Sequence, residues 1–262
     1  MKDELRLAFQ SKRFYVAASI MFVCFLGFTI PNWIMSADWG KIYRPSALEL
    51  SLGSIFFGGV MLLMPFCAAF PHATSQVDEL RTSYLQAKVM RKGINRYALH
   101  KALATMISGG VAVALPFFLN MFIWHFIALP YDPATYPNQK IVFYQTVIWR
   151  NWDEIFYAFP IYLWIGISIF ICSAIWGFFG LTASVWFPDK VLCTVIPVCI
   201  YHLWMSGFTD YVFGIKLVSP EALFNDGLSA DWVWQSIVCY GILLLVSAGL
   251  YRLGLERRSR DD

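Results

Sequence analysis

Charge is what this sequence has least of. Asp, Glu, Lys and Arg together make up 14% of its 262 residues, against about 25% in an ordinary soluble domain. Hydrophobic residues make up 58% and mean hydropathy is +0.57. That balance excludes both a soluble globule and a disordered chain. A net charge of +3 is too small to point to nucleic acid as a partner. The six cysteines (Cys24, Cys67, Cys172, Cys193, Cys199 and Cys239) all fall inside apolar runs, and the closest two are six residues apart. Without a CxxC pair, neither a zinc site nor a disulfide framework is expected. They read as small buried hydrophobes.

Catalytic motifs are missing as well. The chain has no GxxxxGK[ST] loop to cradle a nucleotide and no HExxH. His202 and Ser206 stand four apart and share a helix face, and Ser206-Gly207 is superficially similar to the serine motif of the rhomboid proteases. The stretch Trp204-Met205-Ser206-Gly207 lacks the first glycine of Gly-x-Ser-Gly, and no histidine follows in the last apolar run. The pair therefore reads as polar helix packing. No catalytic residue, metal ligand or bound cofactor is assigned. His72, His100 and His125 stand alone near the ends of apolar runs and read as solvated interfacial side chains.

What is present is a series of long apolar runs. A spanning helix needs about 20 such residues, and six runs qualify: 14–35, 50–70, 102–129, 155–187, 191–209 and 232–250. The fourth meets no charge before Asp189 and reads as one long or tilted helix. The expected fold is an all-α membrane protein in a single transmembrane domain, with no cleavable signal peptide. Six crossings put both termini on one side. Fifteen of the twenty basic residues fall in the N-terminus, the loops after the second and fourth runs, and the C-terminus. By the positive-inside rule these segments are cytoplasmic. Trp33, Trp39, Trp124, Trp149, Trp152, Trp232 and Trp234 cluster at the opposite ends, as an interfacial aromatic belt does. No ionisable Asp, Glu, Lys or Arg lies within the apolar cores. That argues against proton pumps, ion-coupled carriers and voltage sensors, which place such groups at membrane depth.

Two cytoplasmic segments have helical patterning. Over 75–91, Ser75 is a candidate cap with Asp78 three residues on. Val77, Leu80 and Tyr84 follow at i, i+3 and i+7, Leu85 and Met90 extend the apolar side, and Gly93 is a natural stop. Asp78 and Glu79 load the start; Lys88, Arg91 and Lys92 load the end. Such a helix either rests on anionic headgroups or docks into a groove on a partner. Over 2–13, Leu5, Ala8 and Phe9 form an apolar stripe flanked by Lys2, Arg6, Lys12 and Arg13, which reads as an interfacial helix.

Together these pieces resemble the permease subunit of an ABC-2 type transporter. The family combines an N-terminal interfacial helix, six spans and a cytoplasmic coupling helix after span two. Its acidic, Leu, basic and Arg/Lys-Tyr-x-x-x-Lys features are matched by Glu79, Leu85, Arg91, Arg96-Tyr97 and Lys101. The run Pro65-Phe66-Cys67-Ala68-Ala69-Phe70-Pro71 is similar to the family's span-two exit, whereas Ser83-Tyr84 departs from its glycine-rich stretch. The resemblance implies a multi-pass plasma-membrane protein that is not itself an enzyme. A separate ATPase subunit would supply ATP and Mg, and a second permease subunit, identical or homologous, would complete the complex. It implies docking of that ATPase on Asp78, Glu79, Arg81, Tyr84, Leu85 and Arg91, with Leu5, Arg6, Phe9 and Arg13 on the interfacial helix. It also implies a re-entrant segment within 210–231 and export of an amphipathic, peptide or lipid-like substrate. The alternative is a structural or sensory membrane protein without an ATPase, whose amphipathic helices touch only lipid.

Overall fold

The computed structural model describes residues 1–38, 50–51, 53–55, 60–82, 84–127, 159–205 and 230–261. Among the described residues there is no strand, and the helices with defined bounds are α1 (Lys2–Gln10), α2 (Lys12–Asp38), α3 (Val60–Ala69), α4 (Ala73–Arg81), α5 (Tyr84–Lys92), α6 (Ile94–Ile127), α7 (Phe159–Trp186), α8 (Leu192–Met205) and α9 (Ala230–Asp261). Five stretches are long and apolar enough to cross a membrane: Lys12–Met35, Val60–Arg81, Ile94–Ile127, Leu163–Trp186 and Ser236–Ser259. α8 is apolar but shorter within the described residues. This is the architecture of a helical membrane protein. The segment 210–231 lies almost wholly outside the described residues, as do Ser206, Trp39, Trp149 and Trp152.

Local chemistry sets the helix boundaries at the polar end. Ser11 is extended (φ −71°, ψ 135°), which stops α1. Its hydroxyl then accepts from the Phe14 N–H at 3.2 Å, capping α2. The expected helix over 2–13 is therefore two helices meeting at a capping serine. The expected helix over 75–91 is also two. Thr82 turns its hydroxyl back onto the Asp78 carbonyl at 2.8 Å and takes up φ −104°, ψ 11°, so α4 ends there. α4 also begins at Ala73, ahead of Ser75, whose hydroxyl donates to the His72 carbonyl at 2.7 Å. α5 stops at Gly93, whose φ of +75° suits glycine and whose N–H closes onto the Val89 carbonyl at 2.8 Å.

The bundle is organised around α7, 78% buried over its apolar stretch, whereas the corresponding windows of α2 and α9 are only 28% and 22% buried and form the flanks. Ile165, Ile169, Cys172 and Trp176 of α7 join Met64, Cys67 and Ala68 of α3, Phe117 of α6, and Phe25 of α2 in one core. Close approach rests on small residues, as is usual where lipid supplies no hydrophobic drive. Gly109 of α6 and Gly177 of α7 both sit against the Ala68 backbone; a Cβ at Gly177 would lie 2.8 Å from the Ala68 carbonyl oxygen. Toward the C-terminal end of α6, Asn120 is fully buried; its Oδ1 accepts from Trp124 Nε1 at 3.2 Å and from Thr29 Oγ1 of α2 at 3.3 Å. Trp33 and Trp124 pack beside it with centroids 5.6 Å apart.

Replacing Gly177 by valine should overpack the α3–α7 contact and cost about 1–3 kcal/mol. Gly249 has nothing near the position of a Cβ, so Gly249→Ala should be neutral or stabilising by up to about 1 kcal/mol. Thermal unfolding of both variants in one detergent checks the contrast.

Candidate functional site

At one end of the bundle the polar segments converge. Glu4 and Ala8 lie four apart and form the buried face of α1, which packs on α6. α4 turns Gln76 and Glu79 inward at i, i+3. α5 supplies Lys88, and α6 supplies Tyr97 and Lys101 at i, i+4. The result is a buried ion cluster built from four helices. Glu79 Oε1 accepts from Lys88 Nζ at 2.9 Å and from Lys101 Nζ at 2.7 Å, while its Oε2 accepts from the Tyr97 hydroxyl at 2.5 Å. Glu4 Oε1 accepts from Lys88 Nζ at 2.8 Å. Glu4 Oε2 lies 3.6 Å from Lys101 Nζ and 3.7 Å from His72 Nε2. Lys101 also donates to Ser75 Oγ at 2.8 Å.

Burial makes these contacts matter. Lys101 is 0% exposed, Glu4 3% and Glu79 8%. Two carboxylates face two ammonium groups, so the cluster is neutral with His72 uncharged. Burial by itself would raise the Glu4 carboxyl; His72, Lys101 and Lys88 outweigh that and hold it well below the usual carboxylate range. Burial would likewise lower the Lys88 ammonium, but its bonds to Glu4 and Glu79 raise it. Removing one partner would strand a buried charge, which is far costlier than losing a surface pair.

A more exposed ring of contacts surrounds the cluster. Asp78 reaches Lys190 at 2.5 Å and Arg13 at 3.7 Å. Arg13 Nη1 also donates to Thr74 Oγ1 at 2.5 Å. Arg81 donates to the Pro188 carbonyl at 3.2 Å and lies 4.0 Å from Asp189. Asp189 accepts from the N–H groups of Val191 and Leu192, which caps the start of α8 and lowers its own carboxyl. Arg258 of α9 donates to the Val185 carbonyl at 3.4 Å. The N-terminus, the segment 72–101, the α7–α8 connection and the tail of α9 thus share one end.

The residues singled out from the sequence separate into two groups here. Glu79 and Leu85 are buried; Leu85 sits at 3% exposure against Tyr97, Phe178 and Leu255. Asp78 is half-exposed but tied to Arg13 and Lys190. Arg81 and Arg91 are exposed, and the Tyr84 side chain lies outside the described residues. Leu85 and Met90 do not share a side: five residues is about 140° around a helix, and Met90 is 83% exposed. On α1 the buried face is Glu4 and Ala8, with Leu5 and Phe9 half-buried beside it and Arg6 exposed. His72, expected to be solvated, is 3% exposed against Glu4. The sequence pattern marks Lys88 only as a charge at the helix end and gives Glu4 no role. The available signal was Tyr97 and Lys101, one turn apart where the apolar run of α6 begins.

Two outcomes are expected. Lys101→Met should cost about 3–5 kcal/mol, because two buried carboxylates then share one ammonium; chemical or thermal unfolding in detergent reads this. Because the folded Glu4 carboxyl is depressed, its contribution is complete above the unfolded value of about 4.3 and is lost as pH falls below it. Acidification from pH 6 to about 3.5 should therefore lower the midpoint of the wild type more than that of Glu4→Gln.

Comparison of the chain with protein-family models, with curated proteins and with solved structures gave no match in any of the three.

Proposed function

We propose that this chain is the membrane permease subunit of an ATP-driven ABC-type transporter, moved by a separate ATPase. The observation that carries the reading is the ion cluster, which welds two short surface helices, α4 and α5, to α1 and to the long helix α6 through Glu79, Lys88, Glu4 and Lys101. One side of α5 stays free of the bundle: Ala87, Met90 and Arg91, at i, i+3 and i+4, are all exposed. A surface helix anchored inward by buried ion pairs, with an apolar and basic face outward, suits a lever. A push on α5 reaches the start of α6 through hydrogen-bonded charges rather than through a slack loop. Only contacts that differ between the two states of such a partner could do this work.

In this reading α8, with the residues after it, completes six spans. Both termini and the ion cluster face the cytoplasm of a plasma-membrane protein, following the distribution of basic residues. The docking contacts are Ala87, Met90 and Arg91 with Arg81, while Asp78, Glu79 and Leu85 shape the platform from within. Tyr84 stays a candidate contact from the sequence pattern. ATP and Mg belong to the partner. A second permease subunit completes the complex, and the charge-free, aromatic-rich spans suit export of an amphipathic or lipid-like substrate.

The test is isolation of the tagged full chain from its native membrane in mild detergent, followed by mass spectrometry. An ATP-binding subunit in stoichiometric amount is expected with the wild type. Met90→Asp with Arg91→Glu should lose it while the unfolding midpoint stays unchanged, since neither side chain is packed. Recovery of the chain without any ATP-binding protein would overturn the proposal.

A further inference from the structure

Histidine is the side chain whose charge ordinarily changes between about pH 5 and 8, and the ion cluster contains one. His72 is 3% exposed at the start of α4, and both its ring nitrogens face acceptors. Nδ1 stands 3.4 Å from Ser75 Oγ. That hydroxyl gives its hydrogen to the His72 carbonyl at 2.7 Å and takes a bond from Lys101 Nζ at 2.8 Å. Toward the ring it can therefore only accept. Nε2 stands 3.7 Å from Glu4 Oε2, and neither atom has a hydrogen-bond partner among the described residues. A neutral imidazole has one N–H and serves one of these oxygens. An imidazolium has two and serves both.

The surrounding charges decide what a second ring proton does. Around His72 stand Glu4 of α1, Glu79 of α4, Lys88 of α5, and Tyr97 and Lys101 of α6, with Tyr251 of α9 buried near both carboxylates. Arg13 of α2 is held outside by Thr74 and Asp78. Asp189 and Lys190, ahead of α8, are engaged with Arg81 and Asp78, and α7 carries no charged residue. With His72 neutral, two carboxylates balance two ammonium groups. A third cation would leave net charge in a buried site, which is costly. Neutrality returns if one ammonium leaves. The Lys101 side chain is 0% exposed and the Lys88 side chain 12%, so Lys88 has the way out to water. It also bonds the very carboxylate that His72 Nε2 faces.

We propose that His72 is a proton-operated latch for α5. When the ring takes a proton from solvent, Nε2–H donates to Glu4, the Lys88 ammonium passes into water, and the buried site keeps two charges of each sign. Only hydrogen bonds and ion pairs change. α5 has nine residues, too few to hold a helix in isolation, so losing its polar anchor loosens it. The latch rests on the ion cluster and not on the transporter reading, so a missing ATPase leaves it standing.

The experiment is hydrogen–deuterium exchange of the full chain in mild detergent at about pH 7.5 and about pH 5, the span over which histidine titrates, corrected for intrinsic exchange rates. Glu4, held well below the usual carboxylate range, stays ionised throughout. Peptides covering 84–92 should exchange several-fold faster at the lower pH, while those of α7 stay unchanged. His72→Gln keeps a neutral donor for Glu4 and should leave α5 slow at both pH values. Lys88→Met removes the anchor itself and should leave α5 fast at both. Equal α5 exchange at the two pH values in the wild type would overturn the proposal. So would a rise that persists in either variant, or a parallel rise in α7, which would mark general unfolding by acid.

Discussion

A lysine ammonium with no exposure to solvent is the constraint on which the polar end of this protein depends. Lys101 sits where the apolar run of α6 begins, and it cannot be buried charged without partners. Glu79 and Ser75 bond it directly, with Glu4 close behind. To reach it, α1 must lie against α6 with Glu4 inward, and α4 must turn Ser75 and Glu79 toward α6. To balance the second carboxylate, α5 must bring Lys88 into the same space. The positions of three short helices thus follow from the burial of one charge on a fourth.

The rest of the bundle obeys a different rule. Among the described residues, the apolar cores of its spans carry no charge to pair and gain little from apolar contact with one another in lipid, so they close on geometry. Glycines on α6 and α7 let both helices press on the Ala68 backbone, and a fully buried Asn120 ties α6 to α2 through Thr29. The molecule therefore divides into an ion-paired platform and a bundle packed on small residues, joined along the unbroken length of α6. That division is what makes a lever reading attractive: displacement of the platform arrives at the spans as rotation or translation of a stiff helix.

Much of the architecture was legible in the sequence, because membrane burial writes itself as long charge-free runs. The apolar runs and the grouping of basic loops at one end needed only hydropathy and counting, and the contacts among Arg13, Asp78, Arg81, Asp189, Lys190 and Arg258 gather those loops at one end. The helix breaks were less legible. Ser11 and Thr82 end helices through hydrogen bonds of their own side chains, a choice that apolar periodicity does not register. The ion cluster was the least legible part. Charges at helix ends suit the helix dipole without any partner, and Glu4 and Lys88 become partners only after 84 residues of chain have folded back. The apolar side of the 75–91 pattern extends through Leu85 and Met90, whereas helical geometry sends these two apart.

The most direct test is a double-mutant cycle on Glu79→Gln and Lys101→Met, read as unfolding free energy in one detergent at neutral pH. If the two form the buried pair at the centre of the platform, the double variant should be more stable than the sum of the singles implies, by about 1–3 kcal/mol. Additive losses, with no coupling between the two positions, would contradict a platform held by buried charge, and with it the path by which α5 is proposed to move α6.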